Sequence, residues 1–322
     1  MDSDFFFLKA NQSLWPASAN IIAIKDDEGF ILIEVGCGLR KFERELFKRL
    51  DRLNLKLDDL HTIVISHAHP DHMGAMSAIY KKISPTDVKV IINEIEKESA
   101  LNIDLLNESF DIDLIKQQNF EAGVKEFFGD TFDINQSLGI FCAMSQLPED
   151  SYIKTIKEND VLSLGNYQFK VLTTPGHSPG HTSFYEINHK FLLSGDLIGE
   201  IGTAWYSPSS GGAIGYLSSL EKVERLPIDY IYPSHGHKFN NAKERISQIR
   251  DKILSKEEII LENLKIKPHT ILELAKLLYK TTKAQVFPGI AIAESHLIKL
   301  EKENKIEREN NLIYIVDRDN NV

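Results

Sequence analysis

The sequence predicts an α/β domain followed by a small C-terminal domain, on three observations. Short apolar runs rich in β-branched residues alternate with stretches of helical periodicity. Several of those runs end in a histidine or an aspartate, and strand ends that meet at one sheet edge are where open α/β folds place their sites. The tail changes character, to helices and one hairpin.

Taken in order, residues 4–8, 20–25 and 30–35 read as strands, the last two joined as a hairpin through Asp26-Asp27-Glu28-Gly29. Leu39, Phe42, Leu46, Leu50 and Leu53 step by three and four, which predicts an amphipathic helix. Thr62-Ile63-Val64-Ile65 reads as a buried strand, 73–81 as a helix and 88–92 as another strand. Residues 95–150 hold their apolar residues in helix-like clusters and predict a helical insertion. Strands return at 152–156 and 167–172, the second running into Thr174-Pro175-Gly176-His177. Residues 190–194 deliver Asp196 in the same way and residues 228–232 deliver His235, with a helix at 212–225 between them. A long helix over 241–264, one over 271–279 capped by Thr270, one over 290–304 and a strand pair around Glu309-Asn310-Asn311 complete the chain. Helices ending in a small hairpin are a winged-helix pattern, so the expected domains are 1–258 and 259–322.

Composition narrows the function. With 42% hydrophobic and 26% charged residues the chain has the profile of a soluble globular protein, and no apolar run approaches the ~18 residues of a membrane span. The acidic start Met1-Asp2-Ser3-Asp4 lacks the basic region of a signal peptide, so a cytoplasmic address is expected. Cys37 and Cys142 are the two cysteines, and without Cys-x-x-Cys spacing they indicate neither a disulfide framework nor a thiolate metal site. The net charge of −10 argues against general nucleic-acid binding. Residues 261–322 carry 10 Lys+Arg against 9 Asp+Glu, and the helix that would read a groove mixes Glu294, Glu301 and Glu303 with Lys299 and Lys302. The winged helix is therefore expected to pack on the core, or to pair subunits in a homodimer.

The densest chemistry lies in Ser66-His67-Ala68-His69-Pro70-Asp71-His72. In extended backbone His67 and His69 point the same way; after Pro70 the chain can turn and carry Asp71 and His72 to a second centre nearby. Scattered histidines would be surface decoration. Four donors in six positions after a buried strand, with more donors at later strand ends, predict two neighbouring metal sites.

These residues resemble the metallo-β-lactamase superfamily. His67-Ala68-His69-Pro70-Asp71-His72 matches its HxHxDH motif, and Thr174-Pro175-Gly176-His177, Ser194-Gly195-Asp196 and Ser234-His235-Gly236 match its later ligand motifs in order. The run from Tyr232 to Gly236, then Asn241-Ala242-Lys243, a long helix and a terminal winged helix, is similar to the β-lactamase-like protein 2 subgroup. The resemblance implies an αββα four-layer sandwich with a helical insertion and the site at one edge. It implies that His67, His69 and His177 hold one metal, that Asp71, His72 and His235 hold the other, and that Asp196 bridges them. The nitrogen and oxygen donors suit zinc, with iron or manganese as alternatives. The chain departs from the family at Glu34-Val35-Gly36, where an Asp-Thr-Gly is usual, so whatever props the ligands there must differ.

The activity expected from this resemblance is a dinuclear-metal hydrolysis in which paired cations bring a shared water towards a pKa of ~7, with Asp71 and Asp196 as the carboxylates of the centre. A thioester or ester substrate, as in glyoxalase II, is preferred because Phe110, Phe120, Phe127, Phe128, Phe132 and Phe141 in the insertion favour a greasy pocket for a small molecule. An endoribonuclease or phosphodiesterase acting on RNA is the alternative, and a mono-iron persulfide dioxygenase a further one. His181 and His237 are outside the motif positions and are expected to be structural, and Tyr206 to pack or to line the pocket.

Overall fold

The architecture follows from which face of each strand is apolar. The structure, a computed structural model, describes residues 3–10, 17–118, 146–281 and 284–316. One sheet orders six strands as β1 (Phe5–Leu8), β2 (Ile21–Asp26), β3 (Gly29–Ile33), β4 (Leu60–Val64), β5 (Lys89–Asn93) and β6 (Ile153–Ile156). Pairing is antiparallel through β3 and parallel from β3 to β6. The second sheet runs β11 (Tyr230–Pro233), β10 (Phe191–Gly195), β9 (Thr182–Glu186), β8 (Tyr167–Thr173) and β7 (Val161–Leu164).

Side chains alternate across each sheet and so build separate cores. Ile31 and Ile33 of β3 face Phe169 and Val171 of β8 between the sheets, while Phe30 and Leu32 point outward. Outside the first sheet they meet α1 (Arg40–Arg52), whose Leu46 and Leu50 share that core. Outside the second sheet Leu192 meets α7 (Gly212–Glu224) and α8 (Ala242–Leu264). Helix, sheet, sheet and helix thus stack as four layers, as expected. No helix among the described residues is long and apolar enough to cross a membrane.

Several details differ from expectation. The 73–81 helix is two short ones, α2 (Pro70–Met73) and α3 (Met76–Tyr80). Pro70 takes the first turn of α2, where its missing N–H costs nothing, so Asp71 and His72 sit on a helix that begins before the expected one. Strands β7 and β9 escaped the sequence reading: β7 is only four residues long, and β9 is wholly buried yet half polar, Thr182-Ser183-Phe184-Tyr185-Glu186. Between β5 and β6 lie α4 (Lys97–Leu101), α5 (Ile103–Glu108) and α6 (Ile112–Gln117). Phe120, Phe127, Phe128, Phe132, Phe141 and Cys142 lie outside the described residues.

At the C-terminus α9 (Ile271–Leu278), α10 (Ile290–Lys302) and the hairpin β12 (Ile306–Glu309) and β13 (Leu312–Ile315) share their own core. Thr270 and Glu273 cap α9 reciprocally, and Asn310 and Asn311 make the hairpin turn at positive φ. Helix α8 belongs to both units: Ile246, Ile249 and Ile253 lie in the main core, Ile260 and Leu264 in the C-terminal one. It runs unbroken through positions 258 and 259.

Candidate metal centre

Four strand ends converge. The segment after β4 brings His67, His69, Asp71 and His72; the loops after β8, β10 and β11 bring His177, Asp196 and His235. All seven expected donors fall into two neighbouring clusters. His67, His69 and His177 form one, and Asp71, His72, Asp196 and His235 the other, with donor atoms within 4.8 Å of one another in each.

The first cluster is all imidazole. His177 Nε2 lies 2.9 Å from His69 Nδ1 and 3.1 Å from His67 Nε2. The far nitrogen of His177 donates to the Trp205 carbonyl at 2.7 Å, which leaves the lone pair of Nε2 facing the cluster. Ser66 Oγ lies 2.9 Å from Nδ1 of His67 and orients that ring. Burial, reinforced by the neighbouring imidazoles, lowers His67 and His69 well below the usual histidine range, so both are neutral.

The second cluster contains charge. His235 Nε2 is 3.1 Å from Asp71 Oδ2, and His72 Nε2 is 3.4 Å from Asp196 Oδ1. Burial opposes a charge on His72, but Asp71, Asp196 and Glu34 outweigh it and hold the group well above its usual range. His235 is raised against burial by Asp196 and Asp71. Burial likewise opposes ionisation of Asp71, yet His72 and His235 bring it down to about 2. Asp196 spans the clusters: one oxygen is 3.2 Å from His177 Nε2, the other 3.5 Å from His235 Nε2.

Imidazole lone pairs aimed at one another repel unless a cation lies between them. A tetrahedral ion with bonds of ~2.0–2.1 Å needs its nitrogens roughly 3.3 Å apart, close to the separations seen. His72 Nε2 and Asp196 Oδ1 are also buried without a hydrogen bond, which a native interior rarely leaves so. The residues present therefore fit two divalent ions.

Two carboxylates that the motif pattern does not contain hold this arrangement. Glu34, with φ +64°, accepts the Ser66 N–H at 3.1 Å and lies 3.4 Å from His72 Nδ1, while the amides of Val35 and Gly36 both donate to the His72 carbonyl. The departure from Asp-Thr-Gly is thus filled by a longer acid that reaches a cluster residue directly. Glu96, buried just past β5, accepts the Ala68 N–H at 3.0 Å, the Ser178 hydroxyl at 2.7 Å and the Gly180 N–H at 2.6 Å. It ties the loop of His67 and His69 to that of His177. The sequence signal for Glu96 was its place at one more strand end, where Asn93-Glu94-Ile95-Glu96 follows Val90-Ile91-Ile92.

His181 is structural, as expected. Its Nε2 accepts the Asp196 N–H at 2.9 Å, so the proton sits on Nδ1 and is donated to Thr174 Oγ1 at 2.8 Å. Burial, with His177 adding, drops it to about 3 and keeps it neutral. His237 is exposed and pairs with Glu200. Tyr206 packs rather than lines a pocket: it is fully buried, with its hydroxyl 2.8 Å from His296 Nε2 on α10.

Residues 14–235, which include every donor above, match the family model described as Metallo-beta-lactamase superfamily. The chain belongs to that superfamily. Among curated proteins, a probable metallo-hydrolase of Bacillus subtilis, YqjP, is 24% identical over 314 residues, covering 91% of this chain and 92% of its own. The human acyl-coenzyme A thioesterase MBLAC2 is 24% identical over 279 residues, covering 84% and 90%. A β-lactamase-like protein 2 homolog of Caenorhabditis elegans is 30% identical over 96 residues, covering 30% of this chain and 31% of its own. Among solved structures, a superfamily protein of Thermus thermophilus, TTHA1429, superposes with a TM-score of 0.74 at 20% identity, covering 97% and 99%. The chain is a metal-dependent hydrolase of this superfamily.

Proposed function

We propose that the chain is a dinuclear-metal hydrolase of acyl thioesters. The observation that carries the two-metal part is Asp196, whose two oxygens face different donor clusters. His67, His69 and His177 would hold one ion, Asp71, His72 and His235 the other, and Asp196 both. Zinc suits the donors best, with iron or manganese next. When bound, such ions lower the pKa of water towards ~7 and polarise the carbonyl under attack. The chain's own groups orient the donors: the Trp205 carbonyl fixes the His177 tautomer, and His181 fixes the backbone of Asp196.

For the substrate, the similarity to an acyl-coenzyme A thioesterase extends over most of both chains, whereas that to the β-lactamase-like protein 2 homolog covers under a third. The surroundings agree. Phe110 stacks on His69 at 4.9 Å, and Trp205 lies 6.0 Å from the same ring, which suits an apolar acyl group better than a phosphodiester strand. The C-terminal unit, read as a winged helix over 259–322, would brace the site and not read nucleic acid. Its α10 is turned inward, with Ile292, Ser295, His296 and Leu300 buried.

The test is a panel of thioesters, lactones, phosphodiesters and RNA on protein of measured metal content. Fastest turnover of an acyl thioester with two ions per chain is expected. RNA cleavage as the main activity, or one iron with oxygen uptake, would overturn the reading.

A further inference from the structure

Trp205 sits where the donor clusters, the helices after β5 and the C-terminal unit meet. Its carbonyl is committed to His177, which fixes the residue beside the first cluster. Its indole lies 5.3 Å from the Phe110 ring, nearly parallel at 27°, and 5.6 Å from Phe287, at 31°. Phe110 is in turn stacked on His69. Three rings from three separate parts of the chain thus form a continuous aromatic surface ending on a donor imidazole.

Packing alone accounts for this surface poorly. Trp205 and Phe287 are only half-buried, although each bridges two of the molecule's cores. The indole Nε1 is shielded from solvent and has no hydrogen-bond acceptor among the described residues. A buried tryptophan N–H ordinarily finds one. Apolar walls with one convergent donor are how small-molecule sites are built.

We propose that Trp205 and Phe287 form the acyl-binding wall of the active site, with the indole N–H donating to a carbonyl oxygen of the substrate. The C-terminal unit then contributes directly to substrate selection, through Phe287. The proposal rests on the thioesterase reading and adds the residues that select the acyl group.

The chain has two tryptophans, Trp15 and Trp205, so in a Trp15→Phe background the emission of Trp205 reports its own surroundings. Titrating metal-loaded protein with S-octyl pantetheine, a thioether that cannot be hydrolysed, should change that emission saturably, and S-ethyl pantetheine should bind more weakly. Trp205→Phe keeps a ring and removes the donor; Phe287→Leu keeps an apolar side chain and removes the stack. Phe287→Leu should lower the ratio of kcat/KM for octanoyl over acetyl thioester by about tenfold, whereas Trp205→Phe, losing a donor to the carbonyl that both substrates share, should lower kcat/KM for both by about tenfold, with metal content unchanged in each. Emission indifferent to the octyl ligand, an unchanged ratio in Phe287→Leu, or parent-like kcat/KM for both thioesters in Trp205→Phe would overturn the proposal. If the parent hydrolyses no thioester, the functional reading fails on that result alone, while the titration still decides whether the wall binds an acyl chain.

Discussion

The two donor clusters are neighbours built on opposite electrostatic plans. The cluster of His67, His69 and His177 is neutral in that it holds no carboxylate; burial keeps His67 and His69 uncharged, and Ser66 Oγ and the Trp205 carbonyl hold His67 and His177 from outside. The other cluster balances Asp71 and Asp196 against raised His72 and His235. A neutral cluster offers a cation lone pairs but no charge, so it depends on the shared Asp196; the acidic cluster carries a carboxylate of its own. Removing a donor should therefore have unequal consequences on the two sides.

The largest effect is expected where the plans meet. Asp196→Asn leaves the neutral cluster with no carboxylate and the acidic one with a single one, so both metal equivalents should weaken together. Hydrolysis should fall by about 10²–10³-fold or more. Elemental analysis after gel filtration, paired with turnover, checks this; two retained ions and parent-like rates would refute the bridging role.

His177→Ala should separate the clusters where Asp196→Asn couples them. One equivalent is expected to leave and the other to stay, because His72, His235, Asp71 and Asp196 remain intact. Loss of both ions in equal measure would show that the clusters do not act as two sites. His181→Ala should not mimic it, since that imidazole faces the Asp196 amide and Thr174.

The same contrast explains how much was legible in the sequence. The seven donors could be read because each follows a strand-like run, and a strand end is a local pattern. The individual elements could be read because α1 and α8 repeat apolar residues at helical spacing and the sheet strands are rich in Ile, Val and Phe, whereas their stacking in four layers was implied by the family resemblance alone. What supports the donors was not legible. Glu34 matters through a left-handed backbone that turns its carboxylate back on Ser66 and His72, and Glu96 through contacts 28 and 84 residues away in the chain. Those contacts do not follow from spacing, which for Glu96 offers only its place at a strand end. Strand β9 was hidden for a related reason, since its Thr182 and Ser183 are buried by bonding partners elsewhere in the fold, Asn93 and the Ser194 carbonyl.

Glu34 sharpens the comparison on the acidic side. Glu34→Gln keeps size and hydrogen-bonding capacity but removes the charge opposite His72 Nδ1. Loss of such a partner commonly costs about 10–100-fold in metal affinity. The loss should fall on the second equivalent, measured by competition with a chromophoric chelator, and leave the first nearly unchanged. An equal loss at both would mean that Glu34 acts on the fold of the edge as a whole.

Glu96 gives the smallest expected effect and the most selective one, because its partners flank only the neutral cluster. Its oxygens accept from Ala68, between His67 and His69, and from Ser178 and Gly180, just past His177. Glu96→Gln replaces one accepting oxygen with an amide N–H, so at least one buried donor must lose its partner. An unmet buried donor costs about 1–3 kcal/mol, which should appear as a lower Tm of the metal-free protein. The cost of geometry is separate: with the two loops less firmly tied, the first equivalent should bind about tenfold more weakly, and the second as before. Glu96→Ala abandons all three donors and should deepen both effects in the same order. If the substitution lowers Tm but leaves both affinities at the parent's values, Glu96 only stabilises the fold, and the neutral cluster is held by Ser66 and Trp205 without it.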